Sequence, residues 1–452
     1  MAAAAKASEG PGAQMEWYFA GLIMLGGLLA LMAIGTPVFM AFLIINAAGV
    51  GIFFGFREAA LEQLVSNAAA SVTSFILVPV PLFVLMGELF FRTGLAVRVF
   101  DAFDVLIGRV PARLSYIAVG SGTAFAALTG TSVGSAAMMG SMLVPEMDRR
   151  GYKSHMSIGP IMGAGGLAIL IPPSALAVLL GSIARIDIGS LLLAGVVPGL
   201  VLACLYAALI FLQARLDPEA APAYGGEGAA LAAKLRVLAV EIAPMLLVIL
   251  LVIGLIVGGI ATPTESAAFG VLGVLLLALA KGGLDWPALR AALRGTVKVS
   301  GMLLIIVIGS STFSQIVAFS GASRGLLAWA GEAQWAPLWM LLMMFAVLLF
   351  LGMFLDQISQ MMLTLPVFMP MAAAAGYDPV WFGVIVLLAM EISLVTPPFG
   401  LLLFVMMGAA PKGTSLTTIA TAALPYIGCA LVLLLLLLAL PELALWLPSA
   451  MK

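Results

Sequence analysis

Charge is what this 452-residue chain has least of. Asp, Glu, Lys and Arg make up 9% of it, whereas apolar residues make up 63%; a soluble domain carries roughly 25% charged residues. The few charges sum to −1, so no positive field exists to hold a nucleic acid. Histidine occurs once, at His155 in a short charged loop, and cysteine twice, at Cys204 and Cys429 inside apolar runs. That inventory excludes a His/Cys metal cluster and leaves an enzyme without a nucleophile–base set. The two thiols read as small buried hydrophobes, not disulfide partners. There is no G-x-x-x-x-G-K-[ST] run, and GAGG at 163–166 and GSGT at 120–123 are not phosphate loops. Polar stretches are short too. The longest, 213–236, is far below the roughly 100 residues of a typical domain. What remains is a polytopic, all-α membrane protein.

A spanning helix needs about 20 apolar residues. Candidate spans fall at 17–34, 38–54, 114–145, 156–181 and 191–212, and after the linker at 237–257, 265–280, 339–371, 380–407 and 417–440. Five spans per half is an odd number, so the second half enters the membrane from the opposite side. Two further apolar segments make poor simple spans. Residues 71–94 are interrupted by Pro79 and Pro81, and residues 299–321 by Gly309-Ser310-Ser311-Thr312. Each predicts a re-entrant hairpin, with a kinked spanning helix as the alternative. The amphipathic stretches before them, 57–66 and 285–298, predict helices lying along the interface. Residues 1–16 read as a tail without a cleavable signal, with Met15 the expected natural start. The distribution of Lys and Arg leans towards both termini outside.

The two halves repeat. At an offset of 225, Val144-Pro145 falls on Met369-Pro370, Gly151-Tyr152 on Gly376-Tyr377, and Ile171-Pro172-Pro173 on Thr396-Pro397-Pro398. Paired, proline-interrupted hydrophobic segments at matching positions point to the binding site of a secondary transporter.

Polar groups inside apolar runs sharpen that reading. LTGTSVGS at 128–135 predicts an unwound turn whose hydroxyls and carbonyls face a hard cation or a carboxylate, against the alternative of small-residue helix packing. Asp356 is the leading ion-site candidate, since a carboxylate at membrane depth costs at least about 2.5 kcal/mol; the alternative is a neutral, hydrogen-bonded acid. Glu88 and Glu391 also lie in apolar runs, where structure and function explain them equally well. Glu265 follows Thr262-Pro263-Thr264 in the manner of a helix cap. The Pro-Pro pairs predict carbonyls near Ile171 and Thr396 freed from helix bonding.

The runs LTGTSVGSAAMMGSMLVPEMDRRGY, GGLAILIPPSALAVLLG, GIATPTESAAFGV, LGMFLDQ and EISLVTPPFGLLLFV resemble the large membrane subunit of the TRAP (tripartite ATP-independent periplasmic) transporters. The resemblance extends from about Trp17 to Leu447. It implies an elevator-type ion-transporter fold: two inverted repeats of five spans (17–212 and 237–447, joined by 213–236), each with a re-entrant hairpin and a broken helix. The moving part would be about 71–181 plus 299–407, with the remaining spans as scaffold. It implies sodium-coupled uptake of an organic acid such as a C4-dicarboxylate, sialic acid or another sugar or keto acid, across a bacterial inner membrane. Its implied partners are a small four-helix membrane subunit and a periplasmic substrate-binding protein. Its only implied metal is Na+, and it implies no cofactor. Carried over by position, the sodium residues are Gly130, Thr131, Ser132, Ile171, Pro172, Ser310, Gly352, Asp356, Thr396 and Pro397. The substrate residues are Ser135, Ser174, Ser311, Thr312 and Gln357. Asp356-Gln357-Ile358 stands where many members have Asp-Pro-Thr, and Gly134 where many have Ala or an acid, so the pocket chemistry departs from theirs. Three rivals remain: a single-component sodium/carboxylate symporter, an ion channel and a membrane enzyme.

Overall fold

The computed structural model describes residues 15–73, 77–108, 110–129, 132–222, 230–322, 325, 328, 336–397, 400–411 and 413–451. All regular structure among them is helical, as hydrocarbon requires of an open chain, because only a helix satisfies its own backbone polar groups. Five helices are long and apolar enough to cross a membrane: Ile188–Leu216, Leu231–Val257, Pro263–Ala280, Trp286–Phe319 and Leu416–Ala439. Only 33–44% of each apolar stretch is buried within the chain; the rest is apolar surface on a scale that calls for lipid. Two bent pairs, Pro79–Arg92 with Leu95–Ile107 (66°) and Ser154–Leu170 with Ala175–Ala184 (42°), raise the count of spans to seven.

Local chemistry sets the helix ends. At Pro263–Ala280 the Thr262 N–H donates to Glu265 Oε2 (2.7 Å) and the Glu265 N–H to Thr262 Oγ1 (3.3 Å). This is the expected capping box, with Pro263 in the first turn where its missing donor costs nothing. Helix bounds also recur between the halves. Ser132–Arg149 and Gln357–Ala374 begin and end 225 positions apart, as do Ser154–Leu170 and Pro379–Val395.

The chain forms two compact units, one from the described parts of 1–77 and 300–379, the other from 78–299 and 380–452. In the first, Met24, Leu28, Phe42, Ile45, Phe313, Ile316, Leu351 and Leu355 make a buried core. In it the rings of Phe42 and Phe313 meet edge to face at 5.5 Å. In the second, the Ser154–Leu170 helix is buried along every residue from Met156 onward. It packs on Arg113–Thr129, Ser132–Arg149, Ile188–Leu216 and Leu416–Ala439.

Several expectations are corrected. Residues 299–321 do not form a hairpin with a tip at 309–312: a single helix runs from Trp286 to Phe319, and the stretch expected to lie along the interface is its first part. The hydroxyls of Ser310, Ser311 and Thr312 donate to the carbonyls of Val307, Ile308 and Ile308, so they follow the helix instead of breaking it. Pro79 and Pro81 do not interrupt a helix either. Pro79 opens Pro79–Arg92, and the preceding Glu58–Val72 helix is longer than the stretch assigned to the interface. Residues 114–145 and 339–371 are not single spans; each divides, between Thr129 and Ser132 and between Gly352 and Gln357. The linker is partly helical, since Ile188–Leu216 runs into it and Leu231–Val237 begins within it. Cys204 is exposed and Cys429 partly exposed, because both lie on outward-facing turns of apolar helices.

Candidate functional site

The second unit holds two helix breaks, each built by Pro-Pro. Pro172 and Pro173 have no N–H to donate and bias the residue before them away from the helical region. Ile171 is accordingly extended (φ −82°, ψ 118°), and its N–H makes the last bond of the helix, to the Leu167 carbonyl at 2.9 Å. Ser174, fully buried, restarts the chain by accepting from the Ala177 N–H at 3.3 Å. The negative end of one half-helix and the positive end of the next therefore share a single turn, which suits a cation on one side and an anion on the other. The neighbouring helix makes room: a Cβ on Gly195 would lie 2.2 Å from the Leu170 carbonyl oxygen.

The matching break follows Pro379–Val395. Thr396 Oγ1 donates to the Ile392 carbonyl at 2.6 Å, and Thr396 and Pro397 are half-buried. The Thr396 carbonyl is not free, as the sequence suggested, because the Gly400 N–H turns back onto it at 3.1 Å. Glycine allows that return, as a side chain there would meet the Leu394 carbonyl oxygen at 2.5 Å. Ser132 and Ser135 lie in the first turn of Ser132–Arg149, both buried. Ser132 Oγ has no hydrogen-bond partner among the described residues. Gly130 and Thr131 lie outside the described residues.

The first unit holds the remaining candidates. Gly352 ends the Pro337–Gly352 helix, and Asp356 caps the next. Asp356 Oδ1 accepts from the Ile358 and Ser359 N–H groups (both 3.1 Å), and Oδ2 accepts from Ser359 Oγ (2.6 Å). The carboxylate therefore has a structural task, with lone pairs to spare on both oxygens. Gln357 Nε2 is buried without a partner among the described residues. Ser310, Ser311 and Thr312 lie together on an unbroken helix, where Ser71 Oγ also donates to Ser311 Oγ at 2.8 Å.

Sequence reasoning left Glu391 open and missed its surroundings. Glu391 is 2% exposed, packed against Gly166, and lines a small cavity with Met162, Gly163, Tyr206 and Tyr426. The cavity measures about 10 Å³, the scale of one water molecule. Glu391 Oε2 and the Tyr426 hydroxyl have no partner among the described residues, and the Tyr206 and Tyr426 rings meet at 5.2 Å. The three-to-four spacing of Gly159, Gly163 and Gly166 is the signal that could have marked this face for close approach. The other intramembrane acid, Glu88, pairs with Arg92 at 3.2 Å.

Comparison with known proteins gives the architecture and the sequence pattern the same address. Two solved transporters share the fold at 14% identity. The YdaH transporter of Alcanivorax borkumensis matches with a TM-score of 0.60 over 87% of this chain and 90% of its own. MtrF of Neisseria gonorrhoeae matches with a TM-score of 0.57 over 86% and 83%. The C4-dicarboxylate TRAP transporter large permease protein DctM of Pseudomonas aeruginosa is 31% identical over 83% of this chain and 86% of its own. The ectoine TRAP transporter large permease protein TeaC of Halomonas elongata is 30% identical over 84% and 87%. Residues 25–443 match the family model of the tripartite ATP-independent periplasmic transporter, DctM component. This chain belongs to that family: it is a large membrane permease subunit of a TRAP transporter, and not an enzyme.

Proposed function

We propose that the chain carries out sodium-coupled uptake of an organic acid across a bacterial inner membrane, by an elevator movement of two inverted repeats. The observation that carries this reading is the pair of Pro-Pro helix breaks at Ile171–Ser174 and Thr396–Gly400, flanked by helices whose bounds recur at a fixed offset. Broken helices at membrane depth are tolerated where they line a cavity or an ion path. The donors fit a hard cation: Ser132 Oγ is buried and unengaged, and Asp356 keeps lone pairs beyond its cap. Ser132, Ile171, Pro172, Thr396 and Pro397 in one unit, and Ser310, Gly352 and Asp356 in the other, are the residues we assign to sodium, together with Gly130 and Thr131. Ser135, Ser174, Ser311, Thr312 and Gln357 are assigned to the solute, whose acid group the half-helix N-termini would receive. The division into a moving part, about 71–181 plus 299–407, and a scaffold belongs to the same proposal.

The relatives are named for a C4-dicarboxylate, for ectoine and, at 27% identity, for isethionate, so the substrate class is left at organic acid. A small membrane subunit and a periplasmic binding protein are the partners proposed. The test is uptake of labelled solute into proteoliposomes under an inward sodium gradient. The purified chain alone should take up little at micromolar solute, and uptake should appear once both partners are added. Strong uptake by the chain alone would favour a single-component symporter. Uptake indifferent to sodium would remove the coupling ion.

A further inference from the structure

The Trp286–Phe319 helix has 34 residues, so at 1.5 Å per residue it measures about 51 Å, well beyond the roughly 30 Å of a bilayer's hydrocarbon. Its first turns therefore stand in the headgroup region. There Arg290, Arg294 and Lys298 recur every four residues and share one face. Arg92, from the end of Pro79–Arg92, faces them across a cleft of about 540 Å³ that Trp286 and Pro287 also line. Glu88 lies behind the cleft and pairs with Arg92 at 3.2 Å. Among the described residues, Arg290, Arg294 and Lys298 have no ion-pair partner. Three like charges on successive turns repel one another until an anion neutralises them.

The cleft's surroundings say what kind of anion fits. Trp286 is 71% exposed, the position of an interfacial anchor. Leu293 (44% exposed) and Val297 (71% exposed) form an apolar stripe directly beside the basic one. A soluble anion has no use for that stripe, whereas a phospholipid has a phosphate for one and acyl chains for the other. We propose that this cleft binds the headgroup of an anionic phospholipid. Its phosphodiester is held by Arg290, Arg294 and Lys298, and its chains run along Leu293 and Val297. The inference does not depend on the transport reading.

Native mass spectrometry of the full chain in micelles doped with phosphatidylglycerol or phosphatidylcholine tests it. The wild type should retain phosphatidylglycerol over phosphatidylcholine. The triple variant R290Q/R294Q/K298Q should lose that preference by roughly tenfold or more, on the scale of surface cations and anionic lipid, and should keep the wild-type Tm in phosphatidylcholine. Arg149→Gln, an exposed cation elsewhere, should retain the lipid normally. Should the triple variant unfold, Arg294→Gln alone should show a partial loss. Equal retention of both lipids by the wild type, or undiminished retention by the variants, overturns the proposal. So does displacement of the lipid by millimolar inorganic phosphate, which would make the cleft a small-anion site.

Discussion

Glu391 and Gly166 share one space: a Cβ on Gly166 would lie 1.1 Å from Glu391 Oε1 and 1.8 Å from its Cδ. The buried carboxyl can pack there only because residue 166 has no side chain. Gly166→Ala should therefore destabilise the protein by about 1–3 kcal/mol or more, the usual cost of overpacking a core. Gly254→Ala, with nothing within 4 Å of the new methyl, should be close to neutral. In a Glu391→Ala background the cost of Gly166→Ala should fall by at least about 0.5 kcal/mol, the coupling expected of residues in contact. Thermal unfolding in detergent measures all three, and an unchanged cost in the double variant would separate the two residues.

Asp356 lets the cap and the proposed ion role be pulled apart. Asn keeps an oxygen that can accept from the Ile358 and Ser359 N–H groups, and Ala keeps none. Asp356→Ala should cost about 0.5–2 kcal/mol of stability, the usual loss of a cap, and Asp356→Asn much less. Both should weaken the response of uptake to sodium, because both remove the charge. A normal sodium response in the Asn variant leaves Asp356 as a cap alone.

The parts legible in the sequence were those decided within a few residues. Pro-Pro at 172–173 and 397–398, the box at Thr262 and Glu265, and the acid before Gln357 each act on the backbone they belong to, so their effects on helix ends followed directly. The unbroken helix through Ser310–Thr312 was not legible, because hydroxyl residues serve equally as turn-formers and as back-bonding helix residues. Here the packing of Phe42 and the bond from Asn46 Nδ2 to the Gly309 carbonyl (2.8 Å) accompany the second use. The pairing of Gly166 with Glu391 joins residues 225 apart, and no local pattern encodes it. The Gly400 N–H folding back onto Thr396 was missed for a simpler reason. A proline withdraws donors, but the first glycine after it can supply one.

Lys153 Nζ lies 2.6 Å from Asp217 Oδ2, outside the spans, and its hydrogen bond holds the Asp217 carboxyl below the ordinary carboxylate range. A depressed acid contributes stability above its unfolded pKa and loses it as pH falls through the folded value. The pair should therefore show no pH dependence near neutrality and a loss only on the acid side, below about pH 4. Salt should shrink the effect, since the pair is exposed. Asp217→Asn should flatten that acid limb in a Tm-against-pH series; an acid limb identical to the wild type's would assign it to other carboxyls.

Amide hydrogen exchange can decide between an unbroken helix and a hairpin tip at 309–312. In the helix, each of these amides is hydrogen-bonded along Trp286–Phe319. Their side chains add bonds to the Val307 and Ile308 carbonyls, and Ser71 and Asn46 reach in from two other helices. A hairpin tip would leave several of the same amides bonded only to water. Protection at 309–312 should therefore match that of 303–307, as expected where local opening requires the whole helix to give way. Asn46→Ala removes one of those ties and leaves the backbone ladder intact. It should lower protection across the whole helix modestly, with no local minimum at Gly309. Exchange at 309–312 much faster than at 303–307 in the wild type would restore the hairpin, and Ser310, Ser311 and Thr312 would then have to be placed again as residues of a loop.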